Sequence, residues 1–215
     1  MSRLTRSKVT RDFGRIAPFT DAVVAVALTA LVLPLLDIKV DQTGGWGKFW
    51  DENGAQLGAF LLGFFVIAIF WVVHHKIWGT ARVATSLLLW LNMGWLFGIV
   101  LIPFGTIALN ESGNVTPILG AQIYCAIMIL TSVMLGLIIF VVANDPRVSD
   151  GQLPRQPLWW TLRLGVWWAL VWALLLASPK FGFSVMTVSG IVMAILGSWS
   201  APGTKRYRQQ HPPTQ

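Results

Sequence analysis

Few polar side chains interrupt the apolar stretches of this chain, so each one that does invites a chemical reading. The stretch "RIAPFTDAVVAVALTALVLPL" sets Arg15 and Asp21 at the mouth of an otherwise greasy segment. "FWVVHHKIW" closes a second apolar run on His74, His75 and Lys76, while Asn92 and Gln122 sit inside two more. An ionisable residue in a membrane span is costly and is normally paired, placed near an interface or used for function. Metal binding is the first chemistry a histidine pair suggests. Neighbours on a helix diverge by about 100°, so His74 and His75 do not share one ion, and Cys125, the only cysteine, lies on a different run. No metal or cofactor is expected. An intramembrane enzyme would need a nucleophile-base or metal constellation at depth, and none is present. Proton exchange between Asp21 and His74, as in a proton-coupled secondary transporter, is an alternative. The chain shows no inverted repeat or midplane pair of broken helices to accompany it.

The remaining chemistry is positional. If the first helix starts near Pro18, Asp21 falls in its first turn, where a carboxylate favours the positive end of the helix dipole. If the helix starts earlier, Pro18 kinks it. Of the two histidines, one is expected to cap the carboxyl end of the second helix and the other to hydrogen-bond Asp21.

These residues must be positioned by membrane helices. Over 215 residues, 55% are hydrophobic and only 12% charged, with a mean hydropathy of +0.65, far from an ordinary soluble domain. About 20 apolar residues span a hydrocarbon core of roughly 30 Å. Six such runs are predicted, at 16–36, 55–79, 84–109, 117–143, 158–178 and 183–200. They are separated by "DQTGGWGKFWDENG", the weakly marked "GTAR", "NESGNVTP", "NDPRVSDGQLPRQP" and "SPKFGF". The expected organisation is all-α: a cytoplasmic segment over 1–14, a six-helix transmembrane domain over 15–200 and a cytoplasmic tail over 201–215, with no separate soluble domain. The first run is full length and lacks a small-residue cleavage site, so it is expected to stay as a span. Cys125 has no partner for a disulfide and is expected to pack.

The net charge of +7 does not point to nucleic acid, because of where it lies. Thirteen of the 16 basic residues fall before the first span, between the second and third, between the fourth and fifth, or after the sixth. Lys39, Lys48 and Lys180 fall on the opposite side with five of the nine acids. The positive-inside rule then places both termini in the cytoplasm, which requires an even number of spans. Trp46, Trp50, Trp78, Trp159, Trp160 and Trp199 cluster where runs meet loops, as interfacial anchors do, while Trp71, Trp167, Trp168 and Trp172 lie deeper and are expected to pack. The basic tail from Lys205 to Arg208 suits contact with anionic lipid.

Arg15, Phe19, Thr20 and Asp21 resemble the R-x-x-x-F-S/T-D signature at the first helix of the transmembrane protein 175 family of potassium channels, in its single-repeat bacterial form. "FWVVHHKIW" is similar to the family's second helix and "LLWLNMGWLFGIVLIPF" to its third. The resemblance implies a homotetramer in a bacterial inner membrane, with four copies of the first helix around a central pore permeable to K+ and other monovalent cations. It also implies a structural polar network of Arg15, Phe19, Thr20 and Asp21 with His74 or His75 and Asn92, which holds the first helix and need not touch the ion. No "TVGYG" filter loop is expected, and the chain has none. Pro18, Thr20 and Pro34 depart from the usual family pattern, and Pro34 is expected to bend the outer end of the pore helix.

Ala22, Val26, Thr29 and Leu33 follow the spacing of one helical face, which the resemblance makes pore-lining. Ala30 stands where some members carry a bulky residue and would widen one ring. Rings of Val and Leu narrow a pore and gate it by dewetting, whereas Thr hydroxyls replace part of an ion's water shell. Without the resemblance, the same stripe reads as ordinary packing, for which Ala22, Ala25, Ala27 and Ala30 are also suited.

Overall fold

Two prolines shape the first helix, and only one of them stops it. In the computed structural model, which describes residues 3–38, 45–111, 117–145, 147–149 and 156–177, α1 runs over Arg3–Ala30 with Pro18 inside it. The helix thus starts well before Pro18. Proline removes one N–H and crowds the carbonyl four residues back, which here belongs to Gly14, a residue with open space around it. Pro34 acts differently: a residue before proline disfavours the α conformation, and α1 ends at Ala30. After the Leu31–Val32 turn the chain tightens into a short 3-10 helix, Leu33–Asp37, with Val32 N–H donating to Thr29 (3.1 Å) and Leu35 N–H to Val32 (2.9 Å).

Four further helices follow among the described residues: α2, Gly45–Trp78; α3, Ser86–Glu111; α4, Pro117–Asn144; and α5, Gln156–Ala177. Among the described residues, four segments are long and apolar enough to cross a membrane: Gly14–Asp37, Gly45–Trp78, Ser86–Leu109 and Leu119–Asn144. The predicted sixth span at 183–200, Lys180 and the tail at 201–215 lie outside the described residues. One expected break is corrected. "GWGKFWDENG" reads as loop from its glycines and charges, yet it forms the first turns of α2, making a helix of 34 residues, about 51 Å long. Local pairs offset its poor propensity. Lys48 Nζ stands 3.9 Å from Glu52 Oε1 at the i,i+4 spacing, Asn53 Nδ2 donates to the Phe49 carbonyl at 3.0 Å, and Phe49 meets Trp46 and Trp50 edge to face.

The helices pack in chain order, most extensively α3 on α4 and α4 on α5, with α1 laid against α2 and α3. Glycines set the close approaches, as suits membrane helices that gain nothing from hydrophobic exclusion and depend on shape. A Cβ at Gly98 would stand 3.2 Å from the Thr131 Cα of α4, and one at Gly63 would strike Leu31 of α1 (2.8 Å) and Thr106 of α3 (3.0 Å), so three helices meet at Gly63. At one end of the bundle the α2–α3 loop is tied to the turn after α4 by Arg82 N–H donating to Val148 O at 2.8 Å. That turn is shaped by Arg147, whose Nε and Nη2 donate to the Asp145 carboxylate at 3.1 and 3.2 Å. These hydrogen bonds hold the Asp145 carboxyl below its ordinary range and raise the Arg147 guanidinium. Cys125 is fully buried in α4, where it packs as a small apolar side chain.

Substituting Gly98→Ala should destabilise the protein by about 1–3 kcal/mol, because the Thr131 backbone has no room to retreat. Gly58→Ala, with open space around the added methyl, should instead stabilise by about 0.5–1 kcal/mol through helix propensity. Thermal unfolding of the detergent-purified protein checks both, and equal shifts would show that the α3–α4 contact is not glycine-limited.

Candidate functional site

The polar groups of the first three spans converge at one end of the bundle. Thr20, one turn into the apolar part of α1, is 1% exposed, His74 of α2 2% and Asn92 of α3 0%. Asn92 Nδ2 donates to Thr20 Oγ1 at 2.9 Å, and its Oδ1 lies 2.8 Å from His74 Nε2. An amide oxygen only accepts, so in this arrangement His74 Nε2 carries the proton and donates. One amide therefore joins three helices. The imidazole is clamped flat, its ring 4.0 Å from that of Trp95 (interplanar 9°) and 5.2 Å from that of Trp78 (19°). Trp78, expected as an interfacial anchor, is instead buried against this histidine.

Asp21 lies one residue on and is turned to another side of α1, where Trp71 Nε1 donates to its Oδ1 at 2.8 Å. The carboxylate partner is thus an indole and not the expected histidine. His75 is exposed, with its ring 5.2 Å from that of Trp71. Arg15 is exposed and has no hydrogen-bond or ion-pair partner among the described residues, and Phe19 is 51% exposed. Thr20, Asp21, His74 and Asn92 are thus gathered at one junction, while Arg15, Phe19 and His75 stand at its margin. Among the described residues no three His, Cys, Asp or Glu side chains converge on a point that could hold a metal.

From the sequence, Trp71 reads as a packing residue and Trp78 as an anchor, and Trp95 gives no signal of its own. The spacing of Trp71, His74 and Trp78, three and four residues apart, places them along one side of α2, where Trp71 meets Asp21 of α1 and His74 meets Asn92 and Trp95 of α3.

The junction also fixes how α1 is rotated. Val24, Ala27 and Leu31 continue the buried line from Thr20 and are 2–3% exposed, whereas Val26 and Leu33 are 67% and 62% exposed, with Ala22 and Thr29 exposed beside them and Ala30 half-buried. Thr29 Oγ1 donates back to the Val26 carbonyl at 2.8 Å, so its hydroxyl proton is used within the helix and the exposed oxygen is left able to accept.

Residues 15–103 match the family described as endosomal/lysosomal potassium channel TMEM175, an interval that opens on Arg15 and closes on Pro103 and so contains every side chain of the junction. A protein from Streptomyces collinus named as a potassium channel is 36% identical over 103 residues, 46% of this chain and 48% of that protein. Over residues 15–103 the chain is thus similar to the TMEM175 family. The mouse TMEM175, named as an endosomal/lysosomal proton channel, is 21% identical over 67% of this chain and 29% of its own length. The chain therefore spans about half the length of the bacterial relative and under a third of the mouse one. The crystal structure of a TMEM175 homologue from Chamaesiphon minutus has the same fold, with a TM-score of 0.69 over 87% of this chain and 98% of that one, at 24% identity. The TMEM175 family is one of ion channels, not enzymes.

Asn92→Ala should orphan His74 Nε2 and Thr20 Oγ1 together and cost about 1–3 kcal/mol for each buried group left unmade. Trp71→Phe removes one donor to a half-buried carboxylate and should cost less. Thermal unfolding in detergent ranks the two, and the reverse order would mean that the amide is not the joint between the helices.

Proposed function

We propose that this chain is one subunit of a homotetrameric potassium-permeable channel in a bacterial inner membrane, with both termini cytoplasmic and four copies of α1 around a central pore. The observation that carries this reading is the contrast between exposed faces. The outward stripes of α3 (Leu87, Trp90, Phe97, Phe104) and α4 (Leu137, Phe140) are bulky and suit lipid, whereas that of α1 is Ala22, Val26, Thr29 and Leu33. Small and hydroxylated residues facing away from their own protomer suit a close approach between copies around water. In that arrangement Val26 and Leu33 form the narrow hydrophobic rings, Thr29 offers its exposed oxygen to a cation that sheds water, and Ala22 and Ala30 leave wider sections. Thr20, Asp21, His74 and Asn92 fix the rotation of the pore helix without touching the ion. Phe19 and Arg15, four residues apart on the same side, flank the inner mouth, with His75 near Arg15's end of the bundle.

The ion preference follows from chemistry and from the relatives' names. Potassium sheds its water more easily than sodium, and hydrophobic rings offer few oxygens in exchange, so discrimination is expected to be weak to moderate. Proton permeation is a second reading, favoured by the name of the mouse relative. Coupled transport through an Asp21–His74 pair fits less well, because Asp21 is turned to Trp71 and His74 to Asn92.

Purified protein in planar bilayers, with potassium on one side and sodium on the other, should pass a current whose reversal potential favours potassium. Leu33→Ala and Val26→Ser should each change conductance by roughly two-fold or more by relaxing a hydrophobic ring. Absence of cation current, or flux driven only by a pH gradient, would overturn the reading.

A further inference from the structure

The outer end of α1 is held quite differently from the inner end. Leu31 is its last packed residue, wedged with Thr106 against Gly63. The 3-10 helix beyond it, Leu33–Asp37, has no buried residue and no side-chain cap, and Leu36 is 73% exposed. Between this helix and α2 and α3 lies a cavity of about 140 Å³ lined by Pro34, Leu35, Gln56, Ala59, Phe60 and Thr106, so it is only loosely backed on that side. Across the cavity's edge, Gln56 Nε2 of α2 donates a hydrogen bond to the Pro34 carbonyl. Pro34 is the residue next to Leu33.

From this we infer that Gln56 is the positioning residue of the outer ring: its amide fixes the 3-10 helix relative to α2 at the cavity's edge and so sets how far Leu33 projects from the protomer. The inference rests on the pore reading for its functional consequence, but not for its geometry. Gln56 touches neither ion nor pore. Without its hydrogen bond the 3-10 helix can settle into the cavity, which lies opposite the Leu33 face, and the ring formed by four copies widens. A wider hydrophobic ring is easier to wet.

In the reconstituted protein, Gln56→Ala should raise unitary potassium conductance by roughly two-fold or more. Gln56→Met, which keeps the length of the side chain and loses the donor, should act in the same direction. Adding Ala59→Leu to Gln56→Ala fills the cavity from below, so it should return conductance towards the wild-type value, a rescue that general loosening of the fold would not give. A spin label at Leu36→Cys reads the same movement without reference to ions, Cys125 being buried out of reach. Its mobility should rise with Gln56→Ala and fall again with Ala59→Leu. Unchanged label mobility in Gln56→Ala and Gln56→Met overturns the inference. So does unchanged conductance in both while Leu33→Ala alters it. Should Leu33→Ala itself leave conductance untouched, the pore reading fails, and label mobility still decides whether Gln56 positions the 3-10 helix.

Discussion

One buried amide organises this protein. Asn92 has a donor and an acceptor to satisfy in a setting without water, and it meets both needs across helix boundaries, with Thr20 on α1 and His74 on α2. In an apolar interior an unmade hydrogen bond costs about 1–3 kcal/mol. The three helices are therefore held to the one rotation and depth at which all partners meet. The flat stacking of His74 on Trp95 and Trp78 adds a second constraint, because an imidazole packed nearly parallel to two indoles retains one plane in which its nitrogen can reach Asn92. Packing alone would not set this register: apolar helix faces slide past one another at little cost, whereas a donor and acceptor fit at one setting.

What that register decides is the direction of the opposite face of α1. A helix turns about 100° per residue, so once Thr20 is committed to Asn92, Val24, Ala27 and Leu31 follow it inward. Ala22, Val26, Thr29 and Leu33 are then left outward, without any contact of their own to put them there. Asp21, between the two faces, is taken by the Trp71 indole, which satisfies the carboxylate without placing a second charge in the bundle. Polar chemistry at the junction and apolar chemistry along the stripe are thus two consequences of a single rotation. This accounts for the carboxylate of Asp21 near a greasy segment, while Arg15 stands exposed at the margin.

Much of this is legible in the residues themselves. The length of the apolar runs, the one-sided distribution of Arg and Lys and the polar residues inside the runs depend on what a bilayer tolerates, which composition records directly. They suffice for a helical membrane protein whose polar residues meet near one end. Pairings were harder to read. A carboxylate and a histidine suggest each other on charge, but the structure divides them between an indole and an amide, because helix geometry turns Asp21 away from Thr20 by about 100°. The start of α2 was misread because Gly45, Gly47 and Gly54 resemble loop punctuation, whereas the i,i+4 pairs and ring contacts that carry the helix through them act between residues, and composition does not display them. Trp78 shows the same limit, since its place at the end of a run suggests an interface and its burial depends on a histidine four residues earlier.

The two ends of α1 differ in a way that follows from where each sits. At the inner end the helix is continuous through Pro18, joined to α3 by a buried hydrogen bond and to α2 by a half-buried one, and backed by aromatic rings. At the outer end Pro34 removes a helical N–H, the backbone tightens into 3-10 geometry, and a cavity takes the place of packing. Local stability follows the density of buried contacts, so the outer segment is the part of α1 that moves at lower cost. A rod clamped at one end and tethered at the other by a single glutamine amide keeps its rotation while the last turn shifts. Rotation decides which residues face outward, and the last turn decides how far one of them, Leu33, extends. In the proposed channel, identity of the lining and width of the opening would thereby be assigned to opposite ends of the same helix, and each could change without the other.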